Sequence, residues 1–152
     1  MANVNSPNGF TPAYHMSGGT IRPSEFAIAS GTNASIFSGD VVNLSSGLVI
    51  QGTATGAPLG VFAGVEYQAT DGSVVFSKVW TADVATLGAA NAKAYVYSDP
   101  DIVYEAQSTG TPTQASIGTT NTISTTAGDS NTGRSKEGVT TTTSSGIATV
   151  VG

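Results

Sequence analysis

The chain has 152 residues, a net charge of −5, charged side chains at only 10% of positions and no cysteine. One domain with a real core is the natural size class; disulfides and thiolate metal sites are excluded, and five basic residues cannot form the broad positive patch that nucleic-acid phosphates require. No apolar run reaches the ~20 residues that cross a bilayer as a helix, and MANVNSPNGF lacks the basic and apolar regions of a Sec signal, so neither nucleic acid nor membrane is expected as a partner.

Residues 1–23 carry Pro7, Pro12 and Pro23 with Gly9, Gly18 and Gly19, which predicts an extended arm, neither helix nor paired strand. Phe10, Tyr14 and Met16 are bulky for a free tail, so the arm lies either on its own domain or on a neighbouring subunit; in the second case these three are partner-binding residues. Residues 24–152 read as a single β-domain. Ser24–Ser30 is a strand with Phe26 and Ile28 on one face. Asp40–Leu44 and Leu48–Gln51 form a hairpin about Ser45-Ser46-Gly47. Pro58–Tyr67 is a longer strand in which Gly60 and Gly64 mark a bulge or a close backbone approach. Asp71-Gly72 turns the chain into a strand over Ser73–Thr81, with Val74, Phe76, Lys78 and Trp80 on one face. Ala82–Ala92 is the only stretch with helical character, two turns at most, and serves equally as a loop.

Lys93–Gln107, KAYVYSDPDIVYEAQ, holds three of the five tyrosines in two β-rich runs. Pro100 gives no amide hydrogen to a ladder and biases Asp99 towards extended backbone, so the chain bends there between two strands or bulges at an edge. Ile102 and Tyr104 fall on the core face of the second run, Glu105 and Gln107 on the other. Beyond it, residues 108–146 are dominated by Thr, Ser, Gly and Asn. They carry too little apolar area to offset the ~1–2 kcal/mol per residue of backbone ordering, which makes their loops and strands partner-dependent. Thr140–Thr143 suits a solvent-washed or partner-paired strand, GDSNTGRSKEG at Gly128–Gly138 a mobile tip, and Ile147–Val151 a closing strand. Short strands, frequent turns and almost no helix give the fold class: all-β, an antiparallel barrel or sandwich with an N-terminal arm and a Thr/Ser/Gly-rich C-terminal segment.

Catalytic equipment is scarce. His15 is the one histidine and stands alone in the arm; Asp99 and Asp101 flank a proline, where aspartates more often turn the backbone than bind Ca²⁺ or work as acid and base. No metal or cofactor is expected, and no enzymatic activity. Gly60–Gly64 lacks the Lys-Ser/Thr and the helix of a phosphate-binding loop. Arg134 and Lys136 either lie in a solvated loop or meet phosphate or a neighbour's carboxylate, and Trp80 either packs in the core or offers a platform for a sugar.

AYVYSDPDIVYEAQ resembles the "YVYVxDDPDVVFEVQ" segment of a family of tailed-phage head decoration, or cement, proteins of cyanobacteria and other aquatic hosts. NGFTPAYHMSGG, IASGTNASIFSGDVVNL and GVFAGVEY are similar as well, so the likeness spans roughly the first 110 residues, and only the DPD segment is specific. The resemblance implies a structural virion protein on the outer surface of a phage capsid. It implies the major capsid protein and further copies of the chain, as a homotrimer, for partners, with Phe10, Tyr14, Met16, Arg134 and Lys136 as contact residues. The competing expectation is a carbohydrate-binding or adhesive β-domain using Trp80 and the tyrosines.

Overall fold

A computed structural model describes residues 6–87, 92–143 and 146–151. Its strands in chain order are β1 (Thr11–His15), β2 (Ser24–Ile28), β3 (Ile36–Phe37), β4 (Val41–Ser45), β5 (Leu48–Gln51), β6 (Gly60–Gln68) and β7 (Val74–Ser77). There follow β8 (Val79–Trp80), β9 (Ala92–Tyr97), β10 (Ile102–Glu105), β11 (Thr120–Asn121), β12 (Ile123–Ser124), β13 (Gly138–Val139) and β14 (Ala148–Thr149). The chain is all-β, as its composition implies; the helical element that lies wholly within the described residues is a short 3-10 turn, Gln114–Ser116.

Five strands close a barrel in the order β4-β5-β2-β9-β6, with β6 returning to β4. A ring of five cannot alternate direction all the way round, so one pair must run parallel. That pair is β2 with β5, at Ala27↔Leu48; the other four are antiparallel. The β4–β5 hairpin turns on Ser46 and Gly47, both at positive φ (51° and 79°), the backbone that a two-residue hairpin turn demands. Ile28, Val42, Val49, Phe62, Ala94 and Val96 fill the interior, joined by Ile36 and Trp80 from the β3–β8 ribbon. Burying one such aliphatic or aromatic side chain stabilises the fold by about 1.5–3 kcal/mol.

The expected bulge sits in β6, where pairing with β9 shifts register between Phe62 and Gly64. Its effect is to change the phase of the strand. Phe62 and Val65, three apart and so on opposite faces of a regular strand, both enter the barrel core, whereas Val61 points into a second core. Phe10, Val41, Val61 and Ile123 make up that second core, with Tyr104, Val139 and Ile147 packed against it. At Gly60 a Cβ would overlap the Tyr97 carbonyl oxygen, the close backbone approach that the glycine signalled.

Several expectations are corrected. The arm is a paired strand over Thr11–His15: β1 runs antiparallel to β10, and the prolines do not forbid it because Pro12 lies on an edge, beside a register shift between Pro12 and Tyr14. The run Ser73–Thr81 is two strands in two sheets, broken at Lys78, so Phe76 is 71% exposed and Trp80 is wholly buried, although a continuous strand would put both on one face. Of Ala82–Ala92, residues 82–86 take the loop alternative, Leu87 is 3-10, 88–91 lie outside the described residues and Ala92 begins β9. Thr140–Thr143 forms no strand; it is tied to Thr122 by Thr140 N→Thr122 O and Thr122 N→Thr142 O. Gly128–Gly138 docks on the barrel through Ser135 N→Ser38 O and a fully buried Glu137, so it is not a free tip.

Candidate functional site

The bend Asp99-Pro100-Asp101 and the arm meet because β1 pairs β10. Asp99 folds the bend on itself, its Oδ1 accepting the Asp101 amide at 2.9 Å, as aspartates beside proline do. Register then places His15 opposite Ile102, and its Nε2 reaches Asp99 Oδ2 at 3.1 Å across 84 residues of sequence. The Met16 amide donates to the Asp101 carbonyl at 2.9 Å. The Asp101 amide, and after it His15, hold the Asp99 carboxyl below its ordinary range.

One donor atom each of His15, Asp99 and Asp101 lies within 4.8 Å of the others, the spacing of a cation site. The hydrogen bonds around the ring argue against that use. His15 Nδ1 accepts from the Ser17 and Gly19 amides, each at 3.3 Å, and contacts the Ser17 hydroxyl at 3.0 Å. The neutral ring therefore carries its proton on Nε2 and donates it to Asp99. Ligation through Nε2 would move the proton to Nδ1, against two N–H donors. The cluster is a clasp that fixes the arm.

The clasp presents Tyr14, 54% exposed, from a strand paired with β10, and Met16, 61% exposed, from the turn that follows it. Met16 borders an open, largely apolar groove of about 800 Å³, lined also by Leu59, Tyr97, Tyr104, Ile123 and Ile147 among others. Tyr104 is half-buried, and its hydroxyl donates to the Tyr97 carbonyl at 2.9 Å; burial, then the nearby Asp99 charge, push its pKa up to about 12. Ile102 is buried and Glu105 exposed, the alternation expected of that strand.

Phe10 also lines this groove, but as a buried residue and not an exposed one. It is a core residue of its own chain, 7% exposed, and its amide donates to the Gly39 carbonyl at 2.9 Å. Arg134 and Lys136 are exposed because Ser135 and Glu137, which alternate with them, face inward. Sequence reasoning missed Glu137, whose Oε2 accepts the Val41 amide at 2.8 Å; the in/out alternation of Arg134-Ser135-Lys136-Glu137 was the available signal. Desolvation pushes Glu137 up to about 8, and the field of Asp40 adds to it. Asp40 is itself raised by burial, against the Ser135 hydroxyl and the Phe37 amide.

Trp80 is fully buried, edge-on to Tyr67 at 5.5 Å, with Nε1–H donating to the Thr32 hydroxyl at 2.6 Å. A sugar platform has to be wet, so the indole cannot serve as one. Compared with family models, with curated proteins and with solved structures, the chain matches none.

Proposed function

We propose that the chain is a structural virion protein, a decoration subunit that binds the outer surface of a phage head and stabilises it by bridging capsomers. The observation that carries this reading is the pairing of β1 with β10: it fixes two exposed bulky side chains, Tyr14 and Met16, the second of which lines an open apolar groove. A surface of this kind binds by apolar contact and needs little rearrangement on association. The resemblance of Ala94–Gln107 to decoration proteins supplies the partner, the major capsid protein, and implies three copies of the chain together. Arg134 and Lys136 add exposed positive charge to an otherwise acidic molecule and suit carboxylates on the partner.

The test is cosedimentation with purified heads that lack the protein. Because Phe10 is a core residue, deleting the whole arm would unfold part of the domain, so the informative variant is Tyr14→Ser with Met16→Ser. Wild type should pellet with heads nearly as well at ~200 mM as at ~50 mM salt, since attachment of an acidic chain does not rest on phosphate neutralisation. The double variant should keep its melting temperature and lose most of its binding. Undiminished binding by the double variant would place the capsid contact elsewhere, and failure of the wild type to pellet would end the reading.

A further inference from the structure

The barrel ring has no edge, yet the sheet does. Among the described residues β7 hydrogen-bonds to β6 alone and ends the strand order, so its second edge is open with respect to them. Ala69 N donates to the Ser73 carbonyl at 2.8 Å, in the same register that pairs Tyr67 with Val75 and Val65 with Ser77. In an antiparallel ladder the hydrogen-bonded positions alternate. Ser73, Val75 and Ser77 thus spend their backbone groups on β6, and those of Val74 and Phe76 face outward. The side chains of these same two residues, 58% and 71% exposed, lie on the outer face of the sheet. Natural edges are usually blunted by a proline, a bulge or an inward charge, and Val74–Ser77 has none of these.

From this we infer that β7 is a self-association edge, and that its occupant is β7 of a second copy, antiparallel across a two-fold axis normal to the sheet. Such an axis keeps the outer face outer, so only residues of like parity can stand opposite one another. The register centred on Val75 then places Val74 opposite Phe76 of the partner and Phe76 opposite the partner's Val74. That register joins all the outward N–H and C=O groups of both residues and stacks four apolar side chains on one face. Charge agrees with it. The segment Ser73–Ser77 is uncharged, so two molecules of net charge −5 can approach there, and Lys78 comes opposite the partner's Gly72, one residue from the partner's Asp71. A two-fold contact closes at two copies, so any three-fold grouping needs other surface. The inference uses neither Tyr14 nor Met16 and does not rest on the capsid reading.

The chain has no cysteine, so single introduced thiols report the register in the intact protein. In this register Val75 faces Val75 of the partner in a non-hydrogen-bonded pair, with Cα atoms about 4.5 Å apart, inside the range that a disulfide spans. The two Val74 positions are two residues out of step, roughly 8 Å apart, and beyond that range. Under mild oxidation Val75→Cys should convert largely to a covalent dimer, and Val74→Cys, though more exposed, should not. The double variant Val75→Cys with Phe76→Pro removes one outward amide and leaves the β6 ladder intact; it should lose the cross-link at unchanged melting temperature. No dimer from Val75→Cys, equal or greater dimer from Val74→Cys, or a cross-link that survives Phe76→Pro would each overturn the assignment, whether or not the protein binds capsids.

Discussion

Glu137 and Asp40 sit in one another's field inside the protein, each about 1% exposed, and among the described residues neither has a cationic partner. Glu137 joins the last third of the chain to the start of β4 through the Val41 amide. With a folded pKa near 8 it accepts that bond as a neutral acid at pH 7.

The sign of its pH dependence follows. Between an ordinary value of 4.5 and about 8, the folded chain holds a proton that the unfolded chain has released, so stability is full below that window and declines as pH rises through it. Asp40, raised as well, adds in the same direction. At about 1.4 kcal/mol per pKa unit, the whole window is worth on the order of 5 kcal/mol. Melting temperatures should fall from pH 5 to about 8 and then level off, and Glu137→Gln, which can still accept from Val41, should flatten the curve. A slope unchanged in that variant would mean that the titrating group is another one.

Trp80 is the single tryptophan, which makes its burial directly measurable. Emission should be blue-shifted and acrylamide quenching weak in the native state, both reverting in urea. Thr32→Val should cost about 1–3 kcal/mol, because it strands the buried indole N–H. Native quenching as strong as in urea would contradict the packing.

Phe62 and Tyr104 separate a filled core site from a half-open one. Phe62→Ala should lose about 3–5 kcal/mol, the range for emptying a wholly buried aromatic position. Tyr104→Phe gives up one hydrogen bond to Tyr97 and should cost about 1 kcal/mol by urea denaturation. A larger loss for Tyr104→Phe than for Phe62→Ala would invert the assignment of the two cores.

The arm clasp is open to amide exchange. His15→Ala removes the acceptor of the Ser17 and Gly19 amides, so both should exchange faster, and protection of Thr11–His15 should drop while the barrel strands keep theirs. Added Zn²⁺ should leave wild-type exchange unchanged, given the tautomer that Nδ1 imposes. Zinc-dependent protection at His15 would reverse that conclusion.

Local patterns carried much of the fold. The β4–β5 hairpin, the β6 bulge, the bend at Pro100 and the inward side of Ile102 all follow from residues within a few positions of one another. Long-range placement did not. Prolines in the arm argued against pairing, and only the distant edge of β10 makes Pro12 harmless. Glu137 sits in a run of Gly, Ser, Lys and Arg whose composition marks solvent; the alternation of that run was the one local hint, and its partner, the Val41 amide, lies 96 residues away. His15 looked solitary for the same reason: its partner lies across 84 residues. Trp80 and Phe76 were assigned one face because nothing local announces the break at Lys78.

The phase change in β6 bears on how the molecule comes apart. Val61 and Phe62 are joined by one peptide bond and anchor different cores, so neither core can lose its packing without pulling the strand out of the other. Heat or denaturant should therefore meet a single cooperative unit. Calorimetry should return one peak whose enthalpy equals the van't Hoff value, and the Thr/Ser/Gly-rich third, docked through Ile123 and Val139, should melt with the barrel and not before it.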